Sequence, residues 1–370
     1  MIFRLAILVA KFAGLVSRNI LGKSGETIPG KVLLTLFPDA ISKLSQGRIV
    51  ILVSGTNGKS STTRTLASMV SEIGPTTSNY TGSNLDRGIA TALMRKSKYA
   101  VLEIDELFLP SMIVATKPAM VLLLNLSRDQ LHRMLEVRRV ASLWHEAVAK
   151  SPQTLFVGDI DDPFIAYALS ASTRNISLSF GGRRHIDASA CPSCGIYLEW
   201  QGNTFTCHCG LTNASPTKVL SSGNAAYRNY QLATFANKEL GGQERAYVQG
   251  DFERTIAAKE DGISRIRLVK NPASWSEALA SIESKEFILI LNSRQQDGLD
   301  ISWIWDIDFS ALAGKSVRVT GERGIDMQYR LHVAGIESSL HATYQSALSN
   351  VDSSVQVLAS YSAFHELAMR

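Results

Sequence analysis

Residues 48 to 70 read RIVILVSGTNGKSSTTRTLASMV, and no other stretch narrows the possible folds as much. An apolar run from Ile49 to Val53 gives way to a glycine turn, and a Ser/Thr-rich helical segment starts after Gly58. A short buried strand that feeds directly into a helix is one half of a strand–helix–strand crossover, and repeated crossovers build a mainly parallel sheet. The standard phosphate loop is G-x-x-x-x-G-K-S/T. Here Gly58, Lys59 and Ser60 supply its end, Val53 stands where the first glycine belongs, and Gly55 lies closer in. The chemistry survives that change. Backbone N–H groups at a helix N-terminus suit phosphate oxygens. A lysine at that point offers a charge to the outer phosphates, and the following hydroxyl can ligate Mg²⁺. The same string could be a plain turn before a helix, but its place between a strand and a helix favours phosphate. The expected nucleotide contacts are Gly55, Thr56, Asn57, Gly58, Lys59, Ser60 and Ser61.

Two further apolar runs, YAVLEIDE and PAMVLLLNLS, read as buried strands with polar residues at their ends. Ligands of a parallel sheet sit at the carboxyl ends of its strands. Those ends carry Glu103, Asp105 and Glu106, and then Asn125 and Asp129. Hard carboxylate oxygens suit Mg²⁺, although solvated loop acids would give the same string.

With 370 residues, 45% hydrophobic and 19% charged, the chain has room for two or three domains with real cores. The formal net charge of +5 fits an anionic substrate. It is too small, and too scattered along the chain, to indicate nucleic acid. The first residues, MIFRLAILVAKFAGLVSRNIL, are apolar but interrupted by Arg4, Lys11 and Arg18. No run approaches the ~20 residues needed to span a bilayer, and no signal-peptide pattern is evident, so a cytoplasmic protein is expected. The three cations recur every seven residues and share a helical face. Either that face is solvated on a docked helix, or the helix lies on a membrane surface.

Four cysteines fall at 191, 194, 207 and 209 in a turn-rich segment, as C-P-S-C and C-H-C-G. Two close pairs separated by a short hairpin suit tetrahedral structural zinc, and a disulfide is unexpected in a cytosolic protein. The second pair, C-x-C, is tighter than usual, and His208 is an alternative ligand.

The G-T-N-G-K-S loop resembles that of the Mur ligases and the related folylpolyglutamate synthases. Asn125 to Arg133, NLSRDQLHR, resembles the Mur string N-x-x-x-D-H-L-D, with Gln130 in place of its histidine and His132 in place of its last aspartate. A Mur-type loop together with a four-cysteine insert resembles the MurT family, the synthetase subunits of lipid II isoglutaminyl synthase. Several strings agree. NYTGSNLDRGI places Asn79, Gly82, Asn84, Arg87 and Gly88, and DELFLP, LVKNPASW, DGLDISWIWD and GERGIDMQYRLHVAG follow.

The resemblance implies an α/β fold with a Mur-type central domain over 47–245 and a zinc-ribbon insert at 186–214. A helical lead-in over 1–46 and a smaller C-terminal α/β domain over 246–370 complete it. It implies ATP, Mg²⁺ held by Ser60 and Glu103, and structural Zn²⁺ held by Cys191, Cys194, Cys207 and Cys209. The implied reaction is ATP-dependent amidation of the D-glutamate α-carboxylate in lipid II through an acyl phosphate, with Lys59 and Glu103 at the chemistry. Ammonia would come from a GatD-type glutamine amidotransferase partner in a heterodimer, and Asp297, with Asp300 as second choice, would complete the partner's Cys–His pair. Lipid II as substrate would bring the chain to the inner membrane face, giving the N-terminal cations an anionic surface to meet. The adenine-side helix departs from the family string at Arg228 and Gln231, leaving Asn229 as the expected contact. A folylpolyglutamate synthase-like amino-acid ligase and a degenerate nucleotide-binding scaffold are the alternatives.

Overall fold

The computed structural model describes residues 2–21, 27–80, 83–128, 136–182, 184–185, 187–247, 258–280, 282, 284–351 and 354–368, without the side chains of 18–21 and 258–261. Gly82, Asp129, Gln130 and His132, singled out in the sequence, lie outside the described residues. The chain divides into two compact units. The first joins Met1–Leu126 to Val137–Phe252, and the second joins Ser127–Glu136 to Glu253–Arg370.

The first unit begins with helices α1 (Ile2–Leu21), α2 (Ile28–Leu36) and α3 (Ala40–Ser45). Strand–helix alternation then runs β1 (Ile49–Ser54), α4 (Lys59–Ser71), β2 (Thr76–Ser78), α5 (Asp86–Leu93), β3 (Tyr99–Glu103) and α6 (Leu109–Thr116). It continues with β4 (Met120–Leu123), α7 (Val137–Ala149), β5 (Leu155–Asp159), α8 (Pro163–Ser170) and β6 (Asn175–Ser179). The chain next leaves the sheet for an antiparallel hairpin, β7 (Glu199–Gln201) and β8 (Thr204–Thr206), and returns as β9 (Lys218–Val219) before α9 (Ala225–Glu239).

The seven strands of the sheet are parallel, in the order β2-β3-β1-β4-β5-β6-β9. Central β1 has both faces covered, with Val50, Ile51, Leu52 and Val53 at most 1% exposed, as strands flanked by helices require. Its Ile51 and Val53 share a core with Leu66 and Val70 of α4 and with Leu232 and Ala236 of α9. Those two helices therefore cover the same face next to the loop after β1. The chain goes to one side of β1 for β3 and to the other for β4, so a crevice opens at the carboxyl end of β1.

In the second unit the strands are β10 (Ala258–Asp261), β11 (Ser264–Leu268), β12 (Glu286–Ile290), β13 (Ser316–Thr320), β14 (Ser339–Leu340) and β15 (Val355–Ala359). Its helices are α10 (Pro272–Ala280), α11 (Gly324–Val333), α12 (Tyr344–Leu348) and α13 (Tyr361–Ala368). The sheet order is β10-β11-β15-β12-β13-β14, parallel except for the antiparallel edge strand β10. Alternation along β12 divides the side chains between two cores. Phe287 and Leu289 pack with Trp275, Trp303, Phe309 and Met327, whereas Ile288 and Ile290 pack with Val357 and Phe364.

Candidate functional site

The loop after β1 is built for close approach. Gly58 has φ +83°, and a Cβ placed on it would lie 2.0 Å from Asn229 Nδ2 of α9. No other residue type fits that position without strain. A Cβ on Gly55, φ +151°, would come 2.9 Å from the Leu124 Cβ. The loop is then latched to the end of β4 by Asn125. Asn57 N donates to Asn125 Oδ1 and Asn125 Nδ2 donates to Asn57 O, both at 2.9 Å, while Thr56 N donates to the Asn125 carbonyl at 2.9 Å. Val53 at the usual glycine position thus sits inside the strand, and the turn is made entirely after it.

The loop's lysine is held from three sides. Lys59 Nζ donates to Gly55 O at 2.6 Å and to Thr56 O at 3.4 Å, and it pairs with Glu106 Oε1 at 2.9 Å. Glu106 is buried, and its carbonyl accepts from Trp144 Nε1 of α7 at 2.9 Å. Of the three acids in the β3 segment, the structure therefore gives Glu106 the lysine. Glu103 is 7% exposed at the end of β3. Asn79 fixes its backbone, accepting from Glu103 N at 2.8 Å and donating to Glu103 O at 2.9 Å, and Asn84 Nδ2 donates to Glu103 Oε1 at 3.3 Å. Asp105 shapes the turn into α6 by accepting from Leu107 N at 3.1 Å. Ser60 lies exposed and Ser61 buried in the first turn of α4. Arg87 is exposed on α5, and Gly88 is buried there.

Three acids at the end of β5 went unremarked in the sequence, Asp159, Asp161 and Asp162, all at most 2% exposed. Asp162 accepts from Leu126 N at 2.8 Å and caps α8 through Phe164 N at 2.9 Å. Asp161 accepts from Ser179 Oγ, Phe180 N, Gly182 N and Asn213 Nδ2. Asp159 Oδ2 lies 3.6 Å from Arg228 Nε, and Arg228 Nη1 donates to Gly223 O at 2.7 Å. The departure at Arg228 is thus matched by a buried carboxylate on the neighbouring strand. The available signal was the string DIDDP, in which acids follow an apolar run and precede a proline at a helix start.

All four cysteine sulfurs lie within 4.8 Å of one another, with Cys191–Cys209 at 3.6 Å and Cys194–Cys207 at 3.4 Å. A Zn–S bond of ~2.3 Å places tetrahedral sulfurs ~3.8 Å apart, so the set has the size of a four-thiolate zinc site. His208 is not part of the cluster. Burial pushes the Cys207 thiol up to about 12, while the Leu211 backbone N–H draws Cys209 down to about 7. Four thiolates this close repel unless a cation sits among them. The ribbon is tied down by Arg138 of α7, which donates to Pro192 O at 3.0 Å and Ser193 O at 3.1 Å. Asn213 adds its bond to Asp161.

In the second unit Asp297 is 6% exposed. Its carboxylate accepts from Ser362 N at 2.7 Å and Ser362 Oγ at 2.6 Å in the first turn of α13, and from Arg294 N at 3.1 Å. Asp300 instead lines an open groove with Ile301, Trp305, Arg323, Ile325 and Tyr329, and accepts from Ser302 N at 2.8 Å. The structure places these two acids differently, one inside the unit and one at its surface.

Two family models match the chain, the Mur ligase middle domain over residues 53–236 and the MurT ligase C-terminal domain over residues 268–364. The chain belongs to the Mur ligase family, in its MurT group. As a member of that family it is an ATP-dependent ligase. It is 28% identical to the lipid II isoglutaminyl synthase (glutamine-hydrolyzing) subunit MurT of Staphylococcus aureus, over 90% of this chain and 88% of that protein. The MurT subunit of Streptococcus pneumoniae is 26% identical, with 84% and 83% covered. Among solved structures, a pseudomurein peptide ligase type C from Methanothermus fervidus superposes with a TM-score of 0.64 at 16% identity, covering 88% of this chain and 78% of that one. The MurF ligase from Thermotoga maritima, in complex with ADP, gives 0.60 at 14%, covering 90% and 82%. Both likenesses describe the fold, and the MurT assignment comes from the sequence matches.

Proposed function

We propose that this MurT-type chain converts the D-glutamate α-carboxylate of the lipid II stem peptide to the amide of D-isoglutamine. A carboxylate oxygen attacks the γ-phosphorus of ATP and ADP departs, leaving an acyl phosphate. The nitrogen of ammonia then attacks the acyl carbon, phosphate leaves, and the nitrogen loses a proton. Phosphorylation is needed because a carboxylate offers only oxide as a leaving group. The observation that carries this reading is the alignment over 90% of the chain with relatives named for that synthase, together with an intact Lys59 loop.

Within it, the loop from Gly55 to Ser61 cradles the phosphates through the N–H groups that Asn125 does not hold, and Lys59 exchanges Glu106 for the transferring phosphoryl group. Asn229, packed on Gly58, sits beside the bound nucleotide. The oxygen donors Ser60 and Glu103 suit Mg²⁺, which when bound neutralises charge on the outer phosphates. Cys191, Cys194, Cys207 and Cys209 hold a structural zinc ion. Ammonia comes from a GatD-type glutaminase in a heterodimer. That partner fits the second unit, where Leu299, Trp305, Ile325 and Tyr329 are at least half exposed around Asp300. Asp297 is our first choice for the acid that serves the partner's Cys–His pair, and Asp300 the second. The work takes place on the cytoplasmic side of the membrane, where the lipid II head group is made.

The test is to incubate the purified chain and its glutaminase with ATP, Mg²⁺, glutamine and lipid II, and to read the stem peptide by mass spectrometry. Replacement of a hydroxyl by an amino group on D-glutamate is expected. Product with free amino acids and none with ammonia would favour the folylpolyglutamate synthase-like alternative. A chain that binds ATP and forms no product with either would be a scaffold.

A further inference from the structure

Helix α1 is docked by its small side chains. Ala6, Ala10, Gly14 and Ser17 are buried, at the spacing of one helical face. Phe3 packs on the docked side too, edge-on to Phe37, and Ile7 is half-buried, but six large side chains stand outward, with Ile2 at 74%, Leu5 at 61%, Leu8 at 63%, Val9 at 48%, Phe12 at 67% and Leu15 at 54% exposed. This inverts the usual arrangement, in which a docked helix turns its leucines and phenylalanines to the core. At about 100° per residue the six outward side chains cover an arc of roughly 140°. Arg4 and Lys11 project exposed along one border of that arc. Residues 1–25 contain no acidic residue, and among the described residues no helix is long and apolar enough to cross a membrane.

We propose that this face of α1 is a docking surface for an anionic lipid bilayer, in which the helix lies flat with its outward leucines and Phe12 below the head groups. A wide apolar arc bordered by cations, on a helix that cannot span, matches the chemistry of an interfacial helix. Charge decides between this occupant and a second copy of the chain. Two such faces pressed together would give Arg4 and Lys11 no carboxylate on the partner helix to pair with, whereas anionic head groups supply that charge. The inference goes beyond the amidation reading and does not need it, because a lipid surface is recognised without lipid II.

The experiment is flotation of the full-length chain with vesicles containing no lipid II, made of phosphatidylcholine alone or with phosphatidylglycerol. Binding to the phosphatidylglycerol vesicles is expected, weakening as salt is raised. Leu8→Ser with Phe12→Ser should lower partitioning at least about tenfold. Arg4→Glu with Lys11→Glu should do so by a similar factor, each cation near the surface being worth about fivefold. Circular dichroism melting checks that both variants remain folded. Absence of binding, or binding that neither double variant changes, overturns the proposal. So does a dimer in sedimentation that Leu8→Ser with Phe12→Ser dissolves while vesicles capture nothing, which would make the face a contact between copies.

Discussion

Glu106 holds Lys59 by a 2.9 Å ion pair in which both side chains are at most 10% exposed. The lysine charge is thus matched inside the protein by a carboxylate from the loop after β3, and in the proposed reaction a nucleotide phosphate would compete for the same ammonium. Removing the lysine has two separable effects. Lys59→Ala should reduce amidation by about 10²–10³-fold or more, the range for losing one preorganised donor to a transition state. It also leaves Glu106 buried without its cation, a loss of ~3–5 kcal/mol for a buried pair broken from one side. Adding Glu106→Gln should restore much of the melting temperature and none of the activity. If the double variant melts no higher than Lys59→Ala, the pair does not have this role.

Gly58→Ala is expected to weaken ATP binding by more than about tenfold, since a left-handed residue with a Cβ costs ~1–2 kcal/mol before any clash. The clash itself is with Asn229 Nδ2, 2.0 Å from the new atom. Calorimetric titration with an ATP analogue measures that loss. Adding Asn229→Ala should relieve the clash and leave the backbone strain, which the melting temperature without nucleotide reads free of any contact Asn229 makes to ATP. Equal melting temperatures for Gly58→Ala and the double variant would show that α9 does not constrain the loop.

Asp297 and Asp300 can be separated by supplying ammonia in two ways. Asp297→Asn should lower stability by ~1–3 kcal/mol, because the carboxylate accepts from Ser362 and Arg294 inside the unit. It should also cut glutamine-supported amidation while ammonium chloride still supports it. Asp300→Asn, at the surface, should stay within ~0.5 kcal/mol of the parent. If Asp300→Asn alone loses the glutamine-supported rate, the acid that serves the partner is Asp300.

The purified chain is expected to carry one zinc ion, and chelation or Cys194→Ser should remove it and lower the melting temperature. The folded fraction should keep its amidation rate per molecule, because a closed four-thiolate site has no open position for substrate. A rate lost in proportion to zinc, with no change in melting, would point to a catalytic ion.

The parts legible in the sequence were those with local patterns. Strands β1, β3 and β4 are unbroken apolar runs, the phosphate loop is a contiguous string, and the cysteine pairs are separated by a short hairpin. The parts that were not depend on distant residues. Nothing near Lys59 says that Glu106, and not Glu103 or Asp105, will hold it, because the turn between β3 and α6 decides which acid faces back. Arg228 read as a departure and acquires a partner only when β5 and α9 meet at Asp159. In α1 periodicity showed an apolar helix, but the choice between its small and its large face is made by α2, against which it packs.

The Asn125 clamp gives the nucleotide loop a property beyond its shape. Its carboxamide grips Asn57 through both its oxygen and its nitrogen, so the turn is braced from a neighbouring strand. On the proposed reading, arriving phosphates would meet a mould that has already set. Recognition at this end of the molecule should therefore be a matter of fit, with association limited by encounter and little of the slow tightening that a loose loop would need.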